Sequence, residues 1–274
     1  MSINDLPVLE TIRNRRSVRT FDGAALSSQD AQKILEYAQQ AANPYGIPVE
    51  WKLLDAKKYG LSSPVIVGTD TYIAGKMRRV PHAEEAFGYT FEQVVLFAQS
   101  LGIGTTWIAG TMNRSAFEKA MELAEDEVMP CVSPLGRPAK KLLLREGMMR
   151  KAIKADDRFD FGKIFFEASF DRPLTKEAAG RLADAFEAVR LGPSAVNKQP
   201  WRAVLCGDKV HFYEDRNRGY TEGSWDVQKI DMGIALCHFE LAAKEAGLSV
   251  SLETDDSRIT SAGGLVYIAS FNIL

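Results

Sequence analysis

Gly88-Tyr-Thr-Phe-Glu-Gln-Val-Val-Leu-Phe-Ala-Gln-Ser-Leu-Gly102 returns, altered but in register, as Gly233-Ile-Ala-Leu-Cys-His-Phe-Glu-Leu-Ala-Ala-Lys-Glu-Ala-Gly247. Both glycine pairs, Gly88 with Gly233 and Gly102 with Gly247, are 145 positions apart. Phe91, Val94, Ala98 and Leu101 fall on Leu236, Phe239, Ala243 and Ala246, the spacing of one buried helix face. A glycine at the end of each segment is a common C-terminal stop. Working outward, Phe21-Asp22-Gly-Ala-Ala-Leu26 precedes Ser27, a candidate N-cap, and a helical pattern at Ala31, Ile34, Leu35, Ala38 and Ala42. Phe170-Asp171-Arg-Pro-Leu174 precedes Thr175 and a second such pattern at Ala179, Leu182, Ala183 and Phe186. Leu26 and Leu174 are 148 apart. Trp51 and Trp201, each leading into an apolar run, are 150 apart. One pair of similar amphipathic helices means little. Three matches in the same order at nearly one offset predict an internal duplication.

The two copies are unequal. The first runs to about Phe161 and contains Val128-Met-Pro-Cys-Val-Ser-Pro-Leu-Gly-Arg-Pro138 and a basic segment that the second lacks. The charged stretch Lys154-Ala-Asp-Asp-Arg158 is the best candidate for a connection, giving halves 1–161 and 162–274. Strand-like runs at 49–54, 64–67, 203–206, 210–213 and 265–271 alternate with the helices. That order predicts an α+β fold, helices covering a mixed sheet.

Composition narrows the function. The chain has 274 residues, 46% hydrophobic and 26% charged, enough to pack a core without metal or disulfide staples. A formal net charge of −2 argues against a broad nucleic-acid footprint, so any basic patch serves something small and local. Cys131, Cys206 and Cys237 are scattered and odd in number, and with His82, His211 and His238 they show no zinc spacing. They suit a reducing compartment. With neither an apolar leader nor an apolar run of about eighteen residues, the expected compartment is the cytoplasm, with no membrane partner.

Three segments carry candidate chemistry. Arg15-Arg16-Ser17-Val18-Arg19-Thr20-Phe21 packs three guanidiniums and a hydroxyl into five residues. Extended backbone sends alternate side chains one way, so Arg15, Ser17 and Arg19 share a face. Arginine's planar fork suits phosphate, although an isolated cluster of this kind is more often a solvated turn. Leu191-Gly-Pro193-Ser194-Ala195-Val196-Asn197-Lys198-Gln199-Pro200-Trp201 is stiffened by two prolines and offers two amides, enough to read the edge of a flat heterocycle. It is also what an ordinary helix-to-strand connection looks like. Leu101-Gly-Ile-Gly-Thr-Thr-Trp107-Ile108-Ala109-Gly110-Thr111 has the small Ala109-Gly110 pair, which lets backbone approach a flat ligand. Its glycines follow a helix and lack the third of a dinucleotide fingerprint, so that reading fails. A phosphate-loop lysine signature and a nucleophile-elbow serine are both missing, as is a His/Asp pair placed for hydrolysis.

Together these segments resemble the nitroreductases. Arg-Arg-Ser-Val-Arg-x-Phe resembles that family's opening FMN motif, and Pro193-Ser-Ala-x-Asn-x-Gln-Pro-Trp201 its Pro-Ser-Ser-x-Asn-x-Gln-Pro-Trp loop. Leu101–Gly110 and Pro134-Leu-Gly-Arg-Pro138 resemble two further signatures. The likeness spans nearly the whole chain and is nearest to the branch that fuses two halves in one polypeptide. It implies an α/β/α sandwich with a largely antiparallel sheet, two half-repeats forming an intramolecular pseudo-dimer. In the ordinary family two subunits share each FMN, one giving the arginine motif and the other the Pro-Ser loop. Here the arginine motif stands only in the first half and the loop only in the second. Their counterparts, Asn43-Pro-Tyr-Gly-Ile-Pro-Val-Glu50 and Ile164-Phe-Phe-Glu-Ala-Ser-Phe170, lack the matching amides and any cation. One whole site is therefore implied, in a monomer.

By the same resemblance Arg15 and Ser17, with Arg16, would hold the FMN phosphate and ribityl chain, and Arg150 would reach the phosphate. Arg19 would lie near N1 and the C2 carbonyl, where a cation stabilises negative charge gained on reduction. Pro193, Ser194, Ala195, Asn197 and Gln199 would line the ring, and Ala109 and Gly110 would turn N–H groups toward N5. Ala195 departs from the usual second serine, and Met148 stands where lysine is common. The implied activity is hydride transfer from NADH or NADPH, through FMN, to a nitroaromatic, quinone or similar flat electrophile. A specialised flavin reaction, such as dehalogenation or a flavin-consuming step, and a non-catalytic ligand-binding pseudo-dimer are the alternatives.

Overall fold

The computed structural model describes residues 6–141, 143–217, 219, 221–222, 225–254 and 264–274. The chain divides into two compact units, Asn14–Ala155, and Met1–Arg13 together with Asp156–Leu274. The fold is the expected mixed α+β one, with separate sheets in the two units.

In the unit Asn14–Ala155, Ser27 caps the Ser28–Gln40 helix by accepting the Asp30 N–H at 3.0 Å. The sheet is antiparallel: Glu50–Asp55 pairs with Thr71–Arg78, which also pairs with Glu127–Val128 and Val132–Leu135. The Ala83–Ser100 helix is buried along almost its whole length. Trp51 packs on its Phe87 and Phe91, with ring centroids 5.7 and 5.1 Å away. Residues 64–67 are not the expected strand. Pro64 has no N–H to pair, and the Val65 and Ile66 N–H groups turn back on Ser63, so only Val67 makes an isolated bridge, to Thr20.

In the second unit Phe165–Glu167 runs parallel to Trp201–Cys206. Antiparallel pairings then continue through Lys209–Glu214 and Val266–Ile273 to Val250–Glu253. Phe239, on the Val227–Glu245 helix, meets Phe186, Phe212 and Phe271 at 5.6, 5.4 and 5.1 Å. Thr175 repeats the cap of Ser27 by accepting the Ala178 N–H at 3.1 Å. The helix after it is broken, however: Lys176–Ala179 gives way at Gly180, whose φ is +53°, before Ala183–Leu191 resumes. The N-terminal helix Val8–Asn14 also docks here. Its Val8 and Leu9 N–H groups donate to the two carboxylate oxygens of Glu245 at 2.7 and 3.0 Å, which satisfies donors that a helix start leaves open.

The duplication is visible in bond patterns. Gly102 N–H bonds Gln99 O and Ile103 N–H bonds Ala98 O, both at 2.9 Å. The equivalents are Gly247 to Lys244 at 2.9 Å and Leu248 to Ala243 at 3.0 Å. Both glycines have the left-handed φ that this helix ending needs, +69° and +73°. Among the described residues no helix is long and apolar enough to cross a membrane.

Candidate cofactor site

The arginine segment is extended and bonded on both sides. Val18 N–H donates to Thr105 O and Phe21 N–H to Val67 O, each at 2.8 Å, while Arg19 O accepts the Val67 N–H at 3.0 Å. Alternation then separates Arg15, Ser17 and Arg19 from Val18, which rests on Gly104. A Cβ at Gly104 would lie 2.9 Å from that of Val18, so the close approach requires glycine.

Arg15 is only 6% exposed, yet its Nε and Nη1 have no hydrogen-bond partner among the described residues. Arg19 Nη1 is in the same condition. Exposed Arg16 folds its Nη1 back on Arg15 O at 2.8 Å. Burial holds the Arg15 guanidinium below its ordinary pKa; Glu92 opposes that, and Arg16 and Arg150 add to it. For Arg19 burial again acts most, opposed by Glu146 and reinforced by Arg150 and Arg15. These cations feel one another, and the unmade donors of Arg15 and Arg19 ask for an anion with several oxygens.

Two carboxylates that sequence reasoning missed hold the cluster. Glu146, 4% exposed, sits on the Leu144–Ala152 helix and takes the Arg19 N–H on Oε1 at 3.2 Å and the Thr20 hydroxyl on Oε2 at 2.6 Å. Arg150 follows one turn later, on the same face. Met148 is 68% exposed and lies away from it. Buried Glu92 accepts the Trp107 indole N–H at 3.1 Å. The spacing of Glu146 and Arg150 was the one available sequence signal; Glu92 gave none.

Ala109 and Gly110 lie beyond Ile108, which exchanges 2.9 Å bonds with Val132. Arg114 fixes this turn by donating to Ala109 O at 2.7 Å and to Met129 O at 2.8 Å. The buried Thr106 hydroxyl has no partner among the described residues.

In the other unit the Pro193–Gln199 loop is strained. Val196, Asn197 and Gln199 have φ of +49°, +56° and +50°. Such conformations cost about 1–3 kcal/mol each and persist where surroundings over-determine them. Here Ala195 N–H donates to both oxygens of Asp231, at 3.0 and 3.1 Å, and Gln199 N–H donates to Ser194 Oγ at 2.8 Å. Gln199 Oε1 accepts the Phe159 N–H at 2.9 Å. Asn197 donates to Asp157 O at 3.0 Å and accepts from Arg158 at 3.3 Å. Both amides expected at a ring edge are thus engaged with residues 157–159; Pro193, Ser194 and Ala195 are half-buried.

The counterpart segments are closed. Asn43 Oδ1 accepts from Tyr45 and Ile47, and its Nδ2 donates to Ile47 O and Thr90. Residues 164 and 165 are packed in the core, and 165–167 serve as a strand.

Near the strained loop stand buried acids. Burial, with Asp226 and Glu214 adding, pushes the Asp231 carboxyl well above the usual range against the Ala195 N–H. Glu214, fully buried, is raised by burial and by Asp226, against Arg216 and Lys229, and its Oε1 has no partner among the described residues. A raised carboxyl contributes stability that is complete below its unfolded pKa, about 4.3, and is lost as pH rises through the folded one. Glu214→Gln should therefore gain stability relative to wild type as pH rises above the unfolded value of about 4.3, in urea titrations. A difference that does not change with pH refutes this account of Glu214.

Comparison with known proteins identifies the family. The sequence profile of the family described as "Putative TM nitroreductase" matches residues 7–243, and the chain belongs to that family. A crystal structure of a Thermotoga maritima protein likewise described shares 20% identity and a TM-score of 0.63, covering 100% of this chain and 93% of that one. A Clostridium novyi nitroreductase family protein is 20% identical with a TM-score of 0.42, over 49% of this chain and 87% of that chain. A Desulfovibrio desulfuricans protein described as a "putative nitroreductase", in complex with FMN, is 21% identical with a TM-score of 0.42, over 52% of this chain and 95% of that chain. No curated protein matches the chain.

Proposed function

We propose that this chain is an FMN-dependent oxidoreductase. In this reading it takes hydride from NADH or NADPH and delivers it to a nitroaromatic, a quinone or another flat electrophile. The observation that carries the proposal is the buried Arg15 guanidinium, with two N–H groups unmet beside Arg19 and Arg150. A phosphate dianion supplies the oxygens those donors lack, and a membership shown on other grounds points to which phosphate. Arg15, Ser17 and Arg150, with Arg16 assisting, would hold the phosphate and ribityl chain. Arg19 would place positive charge near the pyrimidine edge. Ala109 and Gly110 would offer backbone N–H groups toward N5, and residues 193–197 would line the ring. Gln199 serves better as a brace for that loop than as a ligand, since its side chain already holds Phe159. When bound, the flavin supplies the hydride acceptance and donation. The protein's work is to position and polarise it, in a dry site and without an acid or base of its own.

Because the arginine segment and the Pro-Ser loop each occur once, one FMN per monomeric chain is expected. Native mass spectrometry of the flavin-loaded protein checks the ratio. Steady-state kinetics with NAD(P)H and a quinone should give the parallel lines of a ping-pong cycle. Two flavins per chain would end the single-site reading. A chain that binds FMN but never turns over would leave a binding protein in place of an enzyme.

A further inference from the structure

Asp231 lies 3% exposed on the Val227–Glu245 helix, and both of its oxygens take one backbone N–H, that of Ala195. Its charged neighbours are acids: Asp226, which caps the same helix through the Gln228 N–H at 2.9 Å, and Glu214, at the end of the Lys209–Glu214 strand. The nearby cations serve Glu214 instead, Arg216 directly at 3.3 Å and Lys229 through space. Among the described residues no cation pairs with Asp231. One N–H and no counter-ion is a thin hold on a buried carboxylate.

What that carboxylate holds is strained. Val196, β-branched and at φ +49°, stands next to the Ala195 amide that Asp231 grips, with two more left-handed residues following. A protonated carboxyl keeps one good acceptor oxygen and gains a hydroxyl that needs an acceptor of its own. The grip and the strain therefore oppose each other, and a single proton from solvent shifts the balance.

We propose that Asp231 is a protonation latch for the 194–199 loop: ionised, it clamps the strained turn, and protonated, it releases it. Given the FMN reading above, on which this part rests, acidification speeds flavin release. Asp231 is then a positioning residue, acting through the loop and not on the ring.

The test uses the full-length, FMN-loaded protein, with flavin release followed by recovery of its fluorescence from pH 8 to 5. Loss of one charge-assisted bond predicts a release rate about tenfold higher at the acidic end. Asp231→Asn should release fast at every pH and lose that increment. The phosphate's own second ionisation, near pH 6, contributes to both proteins, so the difference between them isolates the latch. Equal pH profiles, or a flat wild-type profile, overturn it. A second measurement needs neither flavin nor a variant: hydrogen exchange at the Ala195 amide of the flavin-free chain. Protection there, corrected for intrinsic rates, should fall on acidification; constant protection also overturns the latch. If the wild-type chain takes up no FMN at all, the proposed function fails while the exchange result still decides the latch.

Discussion

Arg15→Met should weaken flavin binding without weakening the fold. The native guanidinium is buried, two of its N–H groups have no partner among the described residues, and burial already works against its charge. A methionine of similar length fills the space and removes that desolvation cost. The flavin-free variant should therefore unfold at the same urea concentration as wild type, or a higher one. FMN affinity, by contrast, should fall by about tenfold to a hundredfold, the worth of a charge-assisted contact. Flavin fluorescence quenching gives the second number. Glu92 loses a charged neighbour but keeps the Trp107 indole, and adding Glu92→Gln should restore any stability lost to its isolation. Clear destabilisation with unchanged FMN affinity would make Arg15 a structural residue and remove the main support for the phosphate site.

Glu146→Ala should do the reverse. Glu146 fixes the Arg19 N–H and the Thr20 hydroxyl and offsets the charge on Arg19. Removing one side of a buried charge arrangement typically costs about 3–5 kcal/mol, here because mutually repelling guanidiniums are left uncompensated. Saturating FMN should recover part of the loss, since the phosphate replaces negative charge and ligand binding stabilises the folded state. Glu146→Gln keeps one acceptor oxygen for the Arg19 N–H, turns an NH2 donor toward the Thr20 hydroxyl, which can accept it, and removes the charge. It should lose less stability and bind FMN at least as tightly as wild type. Equal losses with and without FMN would show that Glu146 and the ligand do not share a site.

The duplication was legible because its marks are local. Ser27 and Thr175 cap through an amide three residues on, and the Gly102 and Gly247 endings involve six consecutive residues. What escaped notice depends on distant partners. The Thr71–Arg78 strand is buried on both faces, so no alternation marks it, and Gly75 and Lys76 interrupt its apolar run. Gly180 breaks a helix whose apolar spacing reads as continuous. In the site, a dense run of arginines announces itself. Glu146 is 127 residues from the Arg19 amide it anchors, and Asp231 is 36 from Ala195, distances over which no sequence pattern operates. The sequence offers the amides of Asn197 and Gln199 to the edge of a flat ring; the fold engages them with residues 157–159, contacts about 40 positions away in the chain.

The grip of Glu245 on the first helix has a consequence for how the protein is made. Val8 leaves the ribosome 237 residues before Glu245. At about 5–20 residues per second, that separation is roughly ten to fifty seconds of translation. A seven-residue helix does not hold its shape alone in water, so the N-terminal turn waits, unformed, for the far end of the chain. The unit Asn14–Ala155 is complete long before then, and it begins one residue ahead of Arg15. The arginine segment is thus tethered through Val18 and Phe21 while the helix just before it still waits for Glu245. A nascent chain stalled before residue 245 would carry the three arginines while the Val8 and Leu9 N–H groups still lacked their acceptor.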